Sequence, residues 1–438
     1  MMTGKEEAST GRPTGKTFTK EEVKQHGNNS NEKWLIIDNS VYDITRWIDR
    51  HPGGRRVIRH FAGQDGTDAY TAFHINKEVT KNFLKHLLIG HLAPDQQDND
   101  PITEDFRALR KTVEGMGLFE ANLPFYAAHL SHIVILQLVA WLWMHYFGSG
   151  WASYLFVAIL MTTAQAQAGW LQHDFGHLSV CKTSSANHVW HKIVQGGIKA
   201  ASACWWNYRH FQHHAKPNVI AKDPDVDMPY LFVLGDYVPV QWAKKKRGIL
   251  PYNFQQNYFF LIFPPLLLPL YFHFENAVFM IRKRTYVDIG MAAIFFTLLF
   301  SMYTPLLGAW GTFKLYMFVR FLESHWFVWV TQMNHIPMQV DKEQNSDWLT
   351  SQLVATCNVE HSFFNDWFTG HLNYQIEHHL FPTMPRHNFI KVQPLVKSLC
   401  AKHHIEYQSK TLFQAFGDIV RSLKKSGQIW YDTYHNLG

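Results

Sequence analysis

His173-Asp174-Phe175-Gly176-His177, His210-Phe211-Gln212-His213-His214 and Gln375-Ile376-Glu377-His378-His379 decide how the rest of this chain is read. Each stretch sets metal-capable side chains three or four residues apart, so on a helix they share one face. Each also lies near a long apolar block. Neutral imidazoles at the rim of a membrane bundle propose a transition-metal site, because imidazole suits iron, copper and zinc. Strongly polar groups at a membrane boundary are costly to hold there without a function. A zinc ion takes only three or four ligands, and no His-Glu-x-x-His arrangement is present, so the histidine count fits two ions better. The all-imidazole set also departs from soluble di-iron bundles, which use Glu and Glu-x-x-His.

Working outward, apolar blocks lie at about 124–147, 152–172, 258–281, 287–307 and 309–332. Each is near the ~20 residues that cross a bilayer. Only 17% of the residues are charged, which is low for a soluble protein, and the net charge of +6 forms no dense basic stripe. That balance suits a membrane protein and excludes a nucleic-acid partner. Cys181, Cys204, Cys357 and Cys400 form no CxxC pair, which fits a reducing compartment. The first 33 residues are polar, so no signal peptide is expected, insertion uses internal segments and the N-terminus stays cytosolic.

Parity constrains the path. The first two clusters follow an out-and-back pair, and the third must return to the same side to share their site. The crossings between 214 and 375 are therefore even in number, and one of three apolar blocks does not cross. Arg282-Lys283-Arg284 favours the cytosolic side, which makes 258–281 the non-crossing block, and Pro264, Pro265 and Pro269 are compatible with that.

The fold class expected is multi-domain: a small α+β unit, then an all-α transmembrane domain. Residues 1–17 read as disordered, 18–93 as the small unit, 94–104 as a linker and 105–438 as the membrane domain. Trp34-Leu35-Ile36-Ile37 and Val41-Tyr42-Asp43-Ile44 read as strands about the turn Asp38-Asn39-Ser40. His51-Pro52-Gly53-Gly54 is followed by Phe61-Ala62-Gly63-Gln64-Asp65-Gly66-Thr67-Asp68-Ala69 and by Phe73-His74. The glycines let the backbone turn beside a flat ligand. Two histidines with this separation can approach a haem iron from opposite faces, leaving an electron-transfer centre with no open position. The stretch 18–93 resembles the cytochrome b5 haem domain. That resemblance implies haem b held by His51 and His74; Gly66 stands where the family usually has alanine.

Residues 104–438 are similar to the membrane fatty acid desaturases, whose three histidine boxes match the three clusters. The resemblance implies two non-haem iron ions and carries their ligands over to His173, His177, His210, His213, His214, His335, Gln375, His378 and His379. His335 lies within Thr331-Gln332-Met333-Asn334-His335. Gln375 replaces the first histidine of the third box. Together with the fused haem domain, this marks the front-end group, which places a cis double bond between an existing one and the carboxyl end. Leu380-Phe381-Pro382-Thr383-Met384-Pro385-Arg386-His387 adds to a likeness with the vertebrate acyl-CoA 6-desaturase group and its paralogues.

That likeness implies an O2-dependent oxidoreductase acting at Δ6 of C18 polyunsaturated acyl-CoA, in polyunsaturated fatty acid biosynthesis. It would be a multi-pass protein of the endoplasmic reticulum membrane, in contact with membrane lipids, with its N-terminus and histidine clusters cytosolic. Electrons would come from its own haem, reduced by NADH-cytochrome b5 reductase, since no Gly-x-Gly-x-x-Gly motif is present. A bent apolar tunnel would hold the acyl chain against the metals.

One departure keeps alternatives open. Tyr208 stands where fatty-acyl members usually have histidine, and a sphingoid-base paralogue also lacks histidine there. Δ5, Δ4, bifunctional and sphingoid-base desaturation therefore remain, as does a haem electron-transfer membrane protein with an inert desaturase domain. Position 208 points to a different helix face from His210, so metal binding should survive. His129, His132, His145, His188, His191 and His273 read as hydrogen-bonded core or interface histidines. Asp174 and Glu377 are candidates to orient ligand imidazoles, Trp205 and Trp206 to anchor the interface, and Lys244-Lys245-Lys246-Arg247 to signal topology.

Overall fold

A computed structural model describes residues 15–97, 100–228, 230–248, 250–344 and 347–436. The chain divides into two compact units, one ending at Pro101 and the other beginning at Ile102. The expected disordered stretch lies outside the described residues up to position 14. Thr17 does not belong to it: it opens strand β1 (Thr17–Phe18) and pairs with His91.

In the first unit, β2 (Trp34–Ile37) and β3 (Ser40–Asp43) form the expected hairpin, with β3 starting one residue earlier than read. Asp38 and Asn39 both have positive φ, which gives a two-residue turn whose twist matches the strands. With β4 (Leu88–Leu92) the sheet order is β1-β4-β3-β2, parallel only between β1 and β4. Phe18, Val23, Ile36, Val41, Ile89 and Leu92 form the core beneath it. Short helices follow: Arg55–Arg59 begins four residues after His51, and Thr67–Phe73 ends at His74.

The segment read as a linker is partly ordered. A 3-10 turn covers Pro94–Gln96, and a helix starts at Pro101, where proline costs nothing because the first helical N–H is unpaired anyway.

The second unit is helical. Leu123–Phe147 and Trp151–Gly176 pack as an antiparallel pair. Among the described residues, the first of these is one of three helices long and apolar enough to cross a membrane, with Tyr252–Lys283 and Tyr286–Gln332. Trp151–Gly176 falls short by composition, because Gln165, Gln167, Gln172, His173 and Asp174 dilute the half that approaches the histidines. Val134, Ile135, Leu138, Ile159, Ile294 and Leu298 stay exposed on the outer helix faces, as lipid contact requires.

Gly308, at φ 69° and ψ 164°, breaks Tyr286–Gln332 into two helices. The two halves fold back on each other, since the Phe296 and Tyr316 rings are 5.4 Å apart; an unbroken helix would separate them by about 30 Å. Both ends of this hairpin reach the histidine side. Asp288 accepts from the hydroxyl of Ser202 and the backbone N–H of Cys204, while Gln332 leads directly to His335. The block at 258–281 keeps both ends on that side as well. Gln255 is bonded to the backbone of Val233 and Leu423, and Asn276 accepts from Ser202 N–H at 2.8 Å. A π-helical turn at Leu267–Phe272, which holds Pro269 and follows Pro264 and Pro265, bends it. Both ends of this block therefore meet elements on the histidine side.

Candidate metal centre

The second-cluster helix, Ala203–Ala215, begins with the Ser202 hydroxyl accepting from Trp205 N–H at 3.0 Å. Its spacing turns His210 and His214 toward His173 and His177, at the end of Trp151–Gly176. The third cluster sits on the short helix Gln375–Leu380. Asn358 holds it from beneath, accepting from Ile376 N–H at 2.8 Å and donating to Glu377 at 2.7 Å.

These elements gather the histidines into two sets. His173, His177, His210, His214 and His378 bring ligand atoms within 4.8 Å of one another, and so do His213, His335 and His379. Gln375 joins the second set, its side-chain amide 2.8 Å from His335 Nε2. The sets adjoin, since the rings of His214 and His379 stack at 4.1 Å.

The donor count tests the fit to metal. His210 Nε2 lies 3.1 Å from His173 Nε2, 2.9 Å from His177 Nε2 and 3.1 Å from His214 Nε2. A single imidazole nitrogen cannot make three hydrogen bonds to three others. Nitrogens at about 2.1 Å from one ion and at right angles stand about 3 Å apart, which is this spacing. In the second set the outer nitrogens are occupied. His213 Nδ1 is 2.8 Å from Asp223, His335 Nδ1 is 3.0 Å from Ala355 O, and His379 Nδ1 is 3.0 Å from Gln352 Oε1. Each bond fixes the tautomer that turns Nε2 inward. Burial opposes charge on both His213 and Asp223, but their attraction outweighs it, raising the imidazole and lowering the carboxyl.

Asp223 and Gln352 were not singled out in the sequence. Asp223 had a signal, an acidic run that starts nine residues beyond the second cluster; Gln352 had none. The two carboxylates expected to orient imidazoles have other partners. Asp174 lies 3.3 Å from Arg386 Nε, and Glu377 accepts from Asn358 and from Tyr407 at 2.6 Å. Trp205 and Trp206 are not interfacial anchors: Trp205 is buried against Phe272, and Trp206 lies 4.2 Å ring to ring from His210. Tyr208 turns to Phe279, at 5.7 Å. Among the described residues no ligand group includes His129, His132, His145, His188, His191 or His273. His191 bonds Gln172 at 2.8 Å and His273 bonds Tyr316.

A cavity of about 180 Å³ adjoins Trp206, walled by Trp170, Trp205, Leu268, Phe272 and Phe327. Charged residues line another part of it, where an apolar wall was expected.

In the first unit, the His51 and His74 rings have centroids 6.2 Å apart. Two imidazoles on opposite faces of one iron require about this separation, given ~2 Å metal–nitrogen bonds. His51 Nδ1 is bonded to Gly54 O at 3.3 Å and His74 Nδ1 to Tyr70 O at 2.9 Å, leaving both Nε2 atoms for the metal. A Cβ on Gly53 would stand 2.8 Å from His51 Cε1, so only glycine lets this ring lie back on its loop. Burial first, and then His74, pushes the His51 imidazole down to about 4, and burial also lowers His74. Both are neutral, as ligation requires.

Fold and geometry thus describe a helical membrane unit with a polyhistidine centre, preceded by a bis-histidine haem unit. The fatty acid desaturase family matches residues 149–411, and the cytochrome b5-like heme/steroid binding domain matches residues 19–93. The chain belongs to the fatty acid desaturase family, with a fused cytochrome b5 domain. It is an oxidoreductase of the membrane that uses haem and a pair of iron ions.

Proposed function

We propose that this chain is a front-end desaturase that inserts a cis double bond at Δ6 of C18 polyunsaturated acyl-CoA. The observation that carries the proposal is the pairing of a fused haem domain with Gln375, the one amide among the expected ligands, beside His335. His173, His177, His210, His214 and His378 would hold one iron, and His213, His335, His379 and Gln375 the other. His51 and His74 would hold the haem. When bound, the irons supply the O2 reduction and C–H cleavage that no side chain can perform.

The protein supplies the rest. Asp223, Gln352 and the Ala355 carbonyl orient three imidazoles. Trp206 lines the cavity and packs against His173, His177 and His210, so it joins the cavity wall to the centre. The cavity wall fixes which carbon pair of a chemically uniform chain meets the centre. With haem held by His51 and His74, this unit would supply the two electrons one at a time, and a flexible tether raises such a donor to roughly mM effective concentration. NADH-cytochrome b5 reductase would reload it, on the cytosolic face of the endoplasmic reticulum membrane.

Yeast expressing the chain and fed C18, C20 and C22 polyenes separately tests this, with new double bonds located by mass spectrometry. A Δ6 bond in the C18 acids is expected. Bonds at Δ5 or Δ4 would move the regiochemistry. No new fatty acid, with protein and haem present, would redirect the reading to sphingoid bases and then to an inert desaturase domain.

A further inference from the structure

Away from the histidines, the cavity wall carries Lys199, Glu323 and Arg320, each buried. Lys199 pairs with Glu323 and donates to Gln165 O at 2.8 Å. Arg320 donates to Glu323 at 2.5 Å and to Gln165 Oε1 at 3.1 Å. Two cations share one carboxylate, so the cluster holds one positive charge in excess. Two further N–H donors on this lining, Arg320 Nε and Trp205 Nε1, have no hydrogen-bond partner among the described residues. Glu323 precedes Gln332 by nine residues and Gln165 precedes His173 by eight, so the cluster lies about 12–14 Å down its helices from the metal end.

Buried charge and unsatisfied donors are costly unless a guest compensates them. Saturated CH2 groups offer nothing to an N–H. A cis double bond offers a π face, which attracts cations and N–H donors as an aromatic ring does, more weakly.

We propose that the Lys199–Glu323–Arg320 cluster is a specificity wall that favours acyl chains already carrying double bonds in the part remote from the thioester. The inference rests on the acyl-desaturase reading and adds the residues that choose its substrate. Lys199→Met and Arg320→Gln each remove the excess charge and leave a neutral pair. Lys199→Arg keeps the charge.

The test uses the full-length enzyme with C18 acyl-CoA bearing one, two or three double bonds, in competition. Wild type and Lys199→Arg should prefer the polyunsaturated chains. Lys199→Met and Arg320→Gln should each lower that preference roughly fivefold, mainly through KM for the polyunsaturated chain, while keeping two non-haem irons. Unchanged preference in either iron-replete variant would overturn the proposal. Loss of iron from both would also overturn it and leave the cluster a structural element. If wild type itself converts no acyl chain, the functional reading beneath it fails, and the proposal with it.

Discussion

His213 Nδ1 and Asp223 Oδ2 lie 2.8 Å apart, with the carboxylate fully buried. Asp223 Oδ2 also accepts from Asn218 N–H, and its other oxygen from Asp225 N–H, both at 2.8 Å. In Asp223→Asn, either orientation of the amide sets an N–H against another N–H. His213 then loses its fixed tautomer or the loop loses its anchor. Metal affinity should fall roughly 10–100-fold. Non-haem iron, counted against an unchanged haem signal, checks this; full iron loading would mean that Asp223 does not orient a ligand.

Gln352→Leu should act in the same direction. The side chain accepts from His379 Nδ1 at 3.0 Å and donates to His214 O at 3.4 Å, so one residue braces both histidine sets. Its loss leaves His379 Nδ1 buried without an acceptor, a cost of about 1–3 kcal/mol. Turnover should fall with iron content, and added ferrous iron should restore part of it. A variant equal to wild type in both would remove this brace from the centre.

The contrast between these residues shows how far the sequence reaches. Histidine spacing on helices is local, so the three clusters and the haem pair were legible. The apolar blocks were equally legible because bilayer thickness sets their length. Orientation of a ligand is not local: Gln352 acts across 27 positions, and Asp223 acts through a loop whose path no periodicity encodes. Asp174 and Glu377 misled because adjacency in sequence to a ligand is not contact with its ring. On a helix, a neighbouring residue points about 100° away, and there it met Arg386 or Tyr407. Composition also hid the charged wall, since Lys199, Arg320 and Glu323 lie apart in the chain and meet only in the fold.

Gly308→Ala tests the hairpin. Its φ of 69° and ψ of 164° belong to a region that residues with a Cβ rarely adopt, while no atom within 4 Å would meet the added methyl. The cost is therefore backbone strain, about 1–3 kcal/mol, rather than a clash. The thermal midpoint of the detergent-solubilised protein should drop by several degrees. An unchanged midpoint would show that the turn relaxes elsewhere.

Two histidine variants separate the units. His378→Ala removes an imidazole that sits among the rings of His173, His177 and His214, each 4.6 Å away. It should abolish product and leave the haem spectrum intact, because His51 and His74 belong to the other unit. His51→Ala should do the reverse to the cofactors, losing the Soret band while keeping non-haem iron. Its turnover should still fall steeply, since a free donor must then replace a tethered one present at roughly mM effective concentration. Product from His378→Ala would refute the ligand assignment. Normal turnover from His51→Ala would show that a separate cytochrome supplies the electrons, and that the fused haem is dispensable.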